Sequence, residues 1–138
     1  MTRILVAGNP ALEEDALAGK VAKRLRLRCE LLDDPLSILH MEGPLVILDV
    51  AKGLQKVQWL QPEQLAKRRM VSLHDFDVQF ALTLGGALEK LPELWILAIP
   101  IGMELDAAAR EVRKALRASP IPLPGSGSRR RSMDRRSG

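Results

Sequence analysis

Residues 43–49 read G-P-L-V-I-L-D, and this stretch decides the fold. The Gly43-Pro44 turn introduces four consecutive apolar residues, Leu45–Leu48, and Asp49 follows them. An unbroken aliphatic run is typical of a strand that is covered on both faces, as in a parallel sheet between layers of helices. The stretch therefore predicts a buried central strand that ends at an acidic residue.

Segments on either side of this run alternate between strand patterns and helix patterns. Short apolar runs predict strands at 3–7, 29–32 and 94–99, and alternating polar and apolar residues predict an edge strand with one solvated face at 56–60. Helical spacing predicts helices at 14–27, 76–91 and 105–118, with a turn of helix at 36–39 and a short helix or turn at 62–68. Strands that alternate with helices predict an α/β fold. We expect a three-layer sandwich in which a mostly parallel, twisted sheet of about five strands carries helices on both faces.

Composition divides the chain into a domain at 1–118 and a tail at 119–138. The tail holds five arginines and one aspartate, which accounts for the whole net charge of +4. Because it is rich in Pro, Gly, Ser and Arg, we predict that it is disordered. It is either a solvated extension or a segment that binds RNA or acidic surfaces weakly. The domain itself is neutral, so its charge predicts no specific nucleic-acid partner.

Several common chemistries have no counterpart in the sequence. No apolar run approaches the ~20 residues that span a bilayer, and no signal peptide is visible, so we expect a cytoplasmic protein without membrane insertion. The single cysteine, Cys29, excludes an internal disulfide and an all-thiolate metal site, and its surroundings predict a quiet, partly buried thiol. Phosphate-binding glycine loops and the nucleophile elbow are also missing, so no organic cofactor is predicted.

Polar residues lie at the ends of three apolar segments. Asp15 comes after the first strand, Asp49 ends the third, and His74 follows Met70–Leu73. Because open α/β sheets build their sites at the carboxyl ends of parallel strands, these side chains are expected to face one cleft. Two oxygen ligands and one nitrogen ligand suit a borderline divalent metal such as nickel or zinc, with positions left open for substrate.

Each of these residues also has a simpler interpretation. Glu13, Glu14 and Asp15 can lie at a helix start because the helix dipole favours acids there. Asp49 can cap the next turn, and His74 can serve as a local hydrogen-bonding group. Taken one by one, the residues leave both interpretations open.

Taken in order, four motifs resemble those of the hydrogenase maturation endopeptidases. They are G-N-P-A-L-E-E-D-A-L-A-G at 8–19, V-I-L-D-V at 46–50, S-L-H-D at 72–75 and L-A-I-P-I-G at 97–102. The resemblance covers roughly residues 3–118. It implies that Asp15, Asp49 and His74 are both the catalytic and the metal-binding residues. It also implies a substrate-binding loop made by the following residues: Gly8, Asn9 and Glu14.

The resemblance further implies an activity. It indicates an aspartyl-type endopeptidase that removes a C-terminal peptide from the nickel-loaded precursor of a nickel–iron hydrogenase large subunit. Nickel would arrive with the substrate, and water would be activated either by the metal or by a carboxylate acting as general base. The alternative is a non-catalytic binding module that recognises the precursor or its metal. A third hypothesis is an unrelated small-molecule-binding α/β domain whose acids cap helices.

Overall fold

The structure, a computed structural model, describes residues 2–7, 16–32, 35–61, 71–72 and 92–123. Within these residues the sheet has six strands: β1 (Arg3–Val6), β2 (Glu30–Leu31), β3 (Leu45–Lys52), β4 (Gln58–Leu60), β5 (Val71–Ser72) and β6 (Leu94–Pro100). The helices are α1 (Leu17–Arg24), a 3-10 helix (Pro35–His40) and α2 (Leu105–Arg117). The segments predicted at 62–68 and 76–91 lie outside the described residues.

The order of the strands is β2-β1-β3-β6-β4, and β5 also pairs with β3. Strands β1, β2, β3 and β6 run parallel, whereas β4 and β5 are antiparallel to their neighbours. The predicted α/β class with a mostly parallel sheet is confirmed, and β4 lies at the sheet edge as predicted. From β1 the chain moves to β2, toward one edge of the sheet. From β3 it moves to β6, toward the opposite edge. The boundary between β1 and β3 is therefore the topological switch point of the sheet, where α/β folds bind their ligands.

The central run is buried on both faces, as its sequence predicts. Leu45, Val46, Ile47 and Leu48 are each 0% exposed. One face of the sheet packs against α1 and α2, with Val46, Leu48 and Val50 in that cluster. The other face packs with the 3-10 helix, which contributes Ile38. Burial of this size on both faces makes β3 the rigid element on which a site can be built.

The prediction that Asp49 ends the central strand is wrong. Strand β3 continues through Val50 and Ala51 to Lys52, and it pairs with β6 as far as Pro100. A charged residue ends an apolar run in the sequence, but it does not interrupt the backbone ladder. Asp49 is therefore an internal position of the central strand.

Helix α1 is shorter than its predicted span of 14–27, and its C-terminus explains why. Arg26 adopts a left-handed conformation with φ of 55°, and its N–H donates to the carbonyl of Lys23. The N–H of Leu27 donates to the carbonyl of Ala22, which completes a Schellman motif. Glycine normally occupies the left-handed position, and a residue with a side chain costs about 1–2 kcal/mol there.

Gly43 allows the start of β3 to approach the start of β6. The N–H of Leu45 donates to the carbonyl of Glu93 at 2.8 Å. A Cβ atom on residue 43 would lie 2.7 Å from that same carbonyl oxygen. The turn before the central strand therefore needs glycine for steric reasons.

Side-chain contacts attach α2 to the sheet and to α1. The indole N–H of Trp59 donates to the carbonyl of Ala115 at 2.9 Å, and the Trp59 ring meets the Trp95 ring edge-on at a centroid distance of 6.5 Å. Arg24 on α1 forms a salt bridge with Asp106 on α2. These contacts fix α2 over the β4 edge of the sheet.

The packed chain continues past the predicted domain boundary at residue 118. Ile121 is buried against the cluster under α1 and α2, and the hydroxyl of Ser119 donates to its carbonyl at 2.6 Å. The remainder of the predicted tail, 124–138, lies outside the described residues. Among the residues that the structure describes, no helix is long and apolar enough to cross a membrane.

Candidate functional site

Asp49 lies in the middle of the sheet and is 3% exposed. Side chains alternate along a strand, so Asp49 shares a face with Ile47 and Ala51, on the side opposite α1 and α2. Burial of a carboxylate costs free energy unless hydrogen bonds or a cation compensate. Asp49 is therefore an acid that the fold retains in its interior, which is typical of a functional group.

Residues paired across neighbouring strands form rows on the face of the sheet that carries Asp49. The row that contains Asp49 differs from the row beneath it, which contains Ile47. The row beneath consists of large apolar residues on four adjacent strands: Leu5, Ile47, Ile96 and Leu60. In the next row Asp49 pairs with Ala98, which pairs in turn with Gln58. Ala7, on the other side, follows the last residue of β1. Large side chains therefore make up the row beneath, whereas Ala98 and Ala7 flank Asp49.

The sheet divides at Asp49. Strand β1 pairs with β3 as far as Leu48, and β5 pairs with it from Ala51 onward. Asp49 and Val50 lie between these two partners. The N–H of Val50 donates to Oδ1 of Asp49 at 2.8 Å. The carboxylate therefore accepts a backbone hydrogen bond at the place where β3 pairs with neither β1 nor β5. The carboxylate thus stands at the switch point of the sheet.

Of the predicted site residues, the structure describes Asp49. The other two predicted ligands, Asp15 and His74, lie outside the described residues, as does the predicted substrate-binding loop of Gly8, Asn9 and Glu14. In the described part of the chain, no three His, Cys, Asp or Glu side chains come together as a metal site would require. The three-residue metal site therefore stays a prediction.

Gln58 is a polar residue near Asp49 in the sheet that was not singled out from the sequence. It is half-buried, and it lies in the same row as Asp49 with Ala98 between them. In the K-V-Q-W-L segment Gln58 is two positions before Leu60, which is 1% exposed, so both side chains lie on the same face of the strand. This spacing of two is the sequence signal that places Gln58 on the same face as the buried Leu60. The alternation at 56–60 predicts a solvated face for the polar residues, whereas Gln58 is half-buried.

Cys29 lies away from this row, beside β2, and is half-buried. Burial raises the pKa of its thiol, and the negative charge of Glu30 raises the pKa further. The neutral thiol therefore predominates at physiological pH. This agrees with the prediction of a quiet, partly buried cysteine.

The described fold is one that proteases of hydrogenase maturation share. The crystal structure of the Hydrogenase 3 Maturation protease superposes with a TM-score of 0.56 and 18% identity, over 84% of this chain and 89% of that chain. The hydrogenase maturating endopeptidase HybD from E. coli superposes with a TM-score of 0.56 and 20% identity, over 86% of this chain and 94% of that chain. At these identities the likeness establishes the fold. No protein-family model and no curated protein sequence matches the chain.

Proposed function

We propose that this protein is an endopeptidase of hydrogenase maturation that removes a C-terminal peptide from the nickel-loaded precursor of a large subunit. The observation that carries the proposal is the buried carboxylate of Asp49 at the switch point of the sheet. Two hydrogenase maturation proteases share this fold over most of the chain, which supports the same conclusion. Nickel enters the site as part of the substrate.

Asp49 supplies a negatively charged oxygen in this proposal. A carboxylate accepts several bonds, so the hydrogen bond from Val50 is compatible with binding to a metal ion. In the low dielectric of the sheet interior, its charge favours a cation strongly. The same carboxylate can take a proton from water, so either the metal or Asp49 can activate the attacking water.

The positions of described neighbours support Asp15 and His74 as the other two ligands. Asp15 belongs to the segment that joins β1 to α1, and β1 pairs with β3 as far as Leu48, the residue before Asp49. Ser72, two residues before His74, pairs with Ala51, two residues after Asp49. Because β5 runs antiparallel to β3, its chain direction at Ser72 is toward Asp49. An aspartate oxygen and a neutral imidazole nitrogen would complete an oxygen- and nitrogen-ligand set that suits nickel.

The first test compares precursor with and without nickel. We expect the protein to trim the nickel-loaded large subunit and to leave the nickel-free form intact, as measured by mass spectrometry of the precursor. Asp15→Asn and His74→Ala should each reduce trimming by about 10²- to 10⁴-fold, because each removes a group that contacts the reacting centre. Circular dichroism establishes that both variants are folded.

Two outcomes would contradict the proposal in different ways. If the nickel-loaded precursor binds but keeps its mass, the protein is the non-catalytic binding module. If Asp15→Asn and His74→Ala trim at the rate of the unmodified protein, the assignment of these residues is wrong.

Gln58 is expected to bind the substrate peptide. Its amide both donates and accepts hydrogen bonds, and in the register of the sheet Ala98 lies between it and Asp49. Gln58→Ala should raise KM for the precursor by about 2- to 12-fold, which corresponds to one lost hydrogen bond. The matched control is Gln55→Ala, since Gln55 is exposed in the loop before β4. Equal KM values in the two variants would remove Gln58 from the site.

A further inference from the structure

A groove runs beside the outer strand of the sheet, between β2 and α1. It encloses about 440 Å³. Its apolar lining includes Val6, Ala22, Leu27 and Leu31, and the side of α1 contributes Gly19, Lys23 and the Arg26 that follows the helix. We name it the β2 groove. It lies on the α1 face of the sheet, whereas Asp49 lies on the opposite face.

Among the described residues, no strand pairs with the outer edge of β2, which borders this groove. In the described part of the chain, β2 ends the strand order and pairs with β1 alone. The N–H of Leu32 donates to the carbonyl of Val6, so the N–H and the C=O of Leu31 itself face away from β1. The side chain of Leu31 is 54% exposed and is the one large hydrophobic residue so exposed among those described. An open edge beside an exposed apolar side chain is suited to the addition of an extended peptide strand.

The rim of the β2 groove is positively charged. Lys23 and Arg26 line it, and both are exposed. The carboxylate of Glu30 also lies there, but it accepts two hydrogen bonds from Arg3, at 2.9 and 2.7 Å. Arg26 holds its place in a left-handed backbone conformation that glycine would adopt at lower cost. A cation at the C-terminus of α1 gains from the helix dipole, and the same charge lies at the groove.

We propose that the β2 groove docks an extended, acidic segment of the precursor as an added strand. This inference rests on the proposed function, because it names the part of the same substrate that is held away from Asp49. The apolar lining would receive leucine- or valine-sized side chains, and Lys23 and Arg26 would pair with carboxylates. A second copy of this chain is a poorer occupant, because its own positive rim would be repelled by the rim of the groove. The arginine-rich residues 129–136 of this chain are also positively charged, so the positive rim of the groove would repel them.

Sheet dimensions set the spacing between the docked segment and the cleaved bond. A strand added beside β2 lies three strand spacings from β3, which is about 14 Å. An extended chain advances about 3.3 Å per residue, so at least four or so residues separate the docked segment from a bond held at Asp49. The substrate is therefore a precursor with an acidic stretch at least that far from its cleavage site.

Cys29 gives the groove its own reporter, because it is the single cysteine of the chain and lines the cavity. The probe is a synthetic peptide of alternating leucine and glutamate, with a leucine–lysine peptide as its control. Alkylation of Cys29 by iodoacetamide is followed by mass spectrometry at pH 9. The leucine–glutamate peptide should slow alkylation at least fivefold, and the leucine–lysine peptide should leave it unchanged. Equal rates with both peptides overturn the proposal.

Three variants connect the groove to the precursor. Arg26→Gly removes the charge and keeps the left-handed backbone, and Gly19→Trp fills the groove from a position where a Cβ atom meets nothing within 4 Å. Each should abolish the peptide's protection of Cys29 and raise KM for the precursor about tenfold. The control, Lys20→Trp, changes an exposed residue of α1 outside the groove lining and should match the unmodified protein in both measurements.

The outcomes separate this inference from the proposed function. If the precursor is trimmed with unchanged KM in Arg26→Gly and Gly19→Trp, the docking inference fails and the proposed function stands. If the precursor is never trimmed, the proposed function fails, and protection of Cys29 by the acidic peptide still tests the groove. Sedimentation as a dimer that Gly19→Trp makes monomeric would assign the groove to a second copy of the chain and overturn the inference.

Discussion

Asp49→Asn is expected to lower the rate of precursor trimming by about 10²- to 10⁴-fold. The substitution keeps the shape of the side chain and an Oδ1 atom that accepts the N–H of Val50. It removes the negative charge that, in the proposed function, binds a cation or takes a proton from water. The fold should therefore survive while the chemistry is lost, and the measurement is the rate of mass loss by the nickel-loaded large subunit under single-turnover conditions.

The control for this prediction is Asp106→Asn, the same substitution at an exposed position on α2. It should trim the precursor at the rate of the unmodified protein. If Asp49→Asn also trims at that rate with normal circular dichroism, the buried carboxylate is structural and the proposed chemistry is wrong. If Asp49→Asn unfolds, Asp49→Glu restores the charge and tests whether charge or shape was lost.

Ile47→Ala is expected to lower the free energy of unfolding by about 2–5 kcal/mol. Ile47 is 0% exposed on the central strand and lies in the row directly beneath Asp49. Removal of its side chain leaves a cavity between Ile96 and Leu5, which the neighbouring strands cannot close without breaking their register. Urea unfolding with linear extrapolation gives the free energy.

Leu31→Ala is the matched control for stability, because Leu31 is 54% exposed. Its effect should stay within about 0.5 kcal/mol. A loss below about 1 kcal/mol for Ile47→Ala would mean that the row beneath Asp49 is not rigid. Asp49 would then lack the fixed position that catalysis requires.

Much of the fold could be predicted because its strands are short and strongly apolar. Leu45–Leu48 predicts a strand covered on both faces, and the structure buries all of it. The prediction failed where tertiary structure overrides local pattern. Strand β3 continues past Asp49 because β6 and β5 still offer partners, and α1 ends early because Arg26 turns into the left-handed region.

The candidate site could be predicted less completely. Asp49 is marked by its place after an apolar run, whereas Gln58 enters the same row only through the pairing of β4 with β6. That pairing joins residues about forty positions apart, and no local pattern encodes it. The antiparallel arrival of β5 beside β3 is non-local in the same way. Asp15 and His74 stay predictions from sequence order and resemblance.

The contact between Trp59 and Trp95 has a spectroscopic consequence. These are the two tryptophans of the chain, and the chain has no tyrosine. All indole emission therefore arises from one place, where β4 and β6 meet α2. Trp59 is the residue after Gln58. The protein thus carries an intrinsic optical probe beside its candidate substrate-binding amide, while Cys29 offers a chemical one at the opposite edge of the sheet.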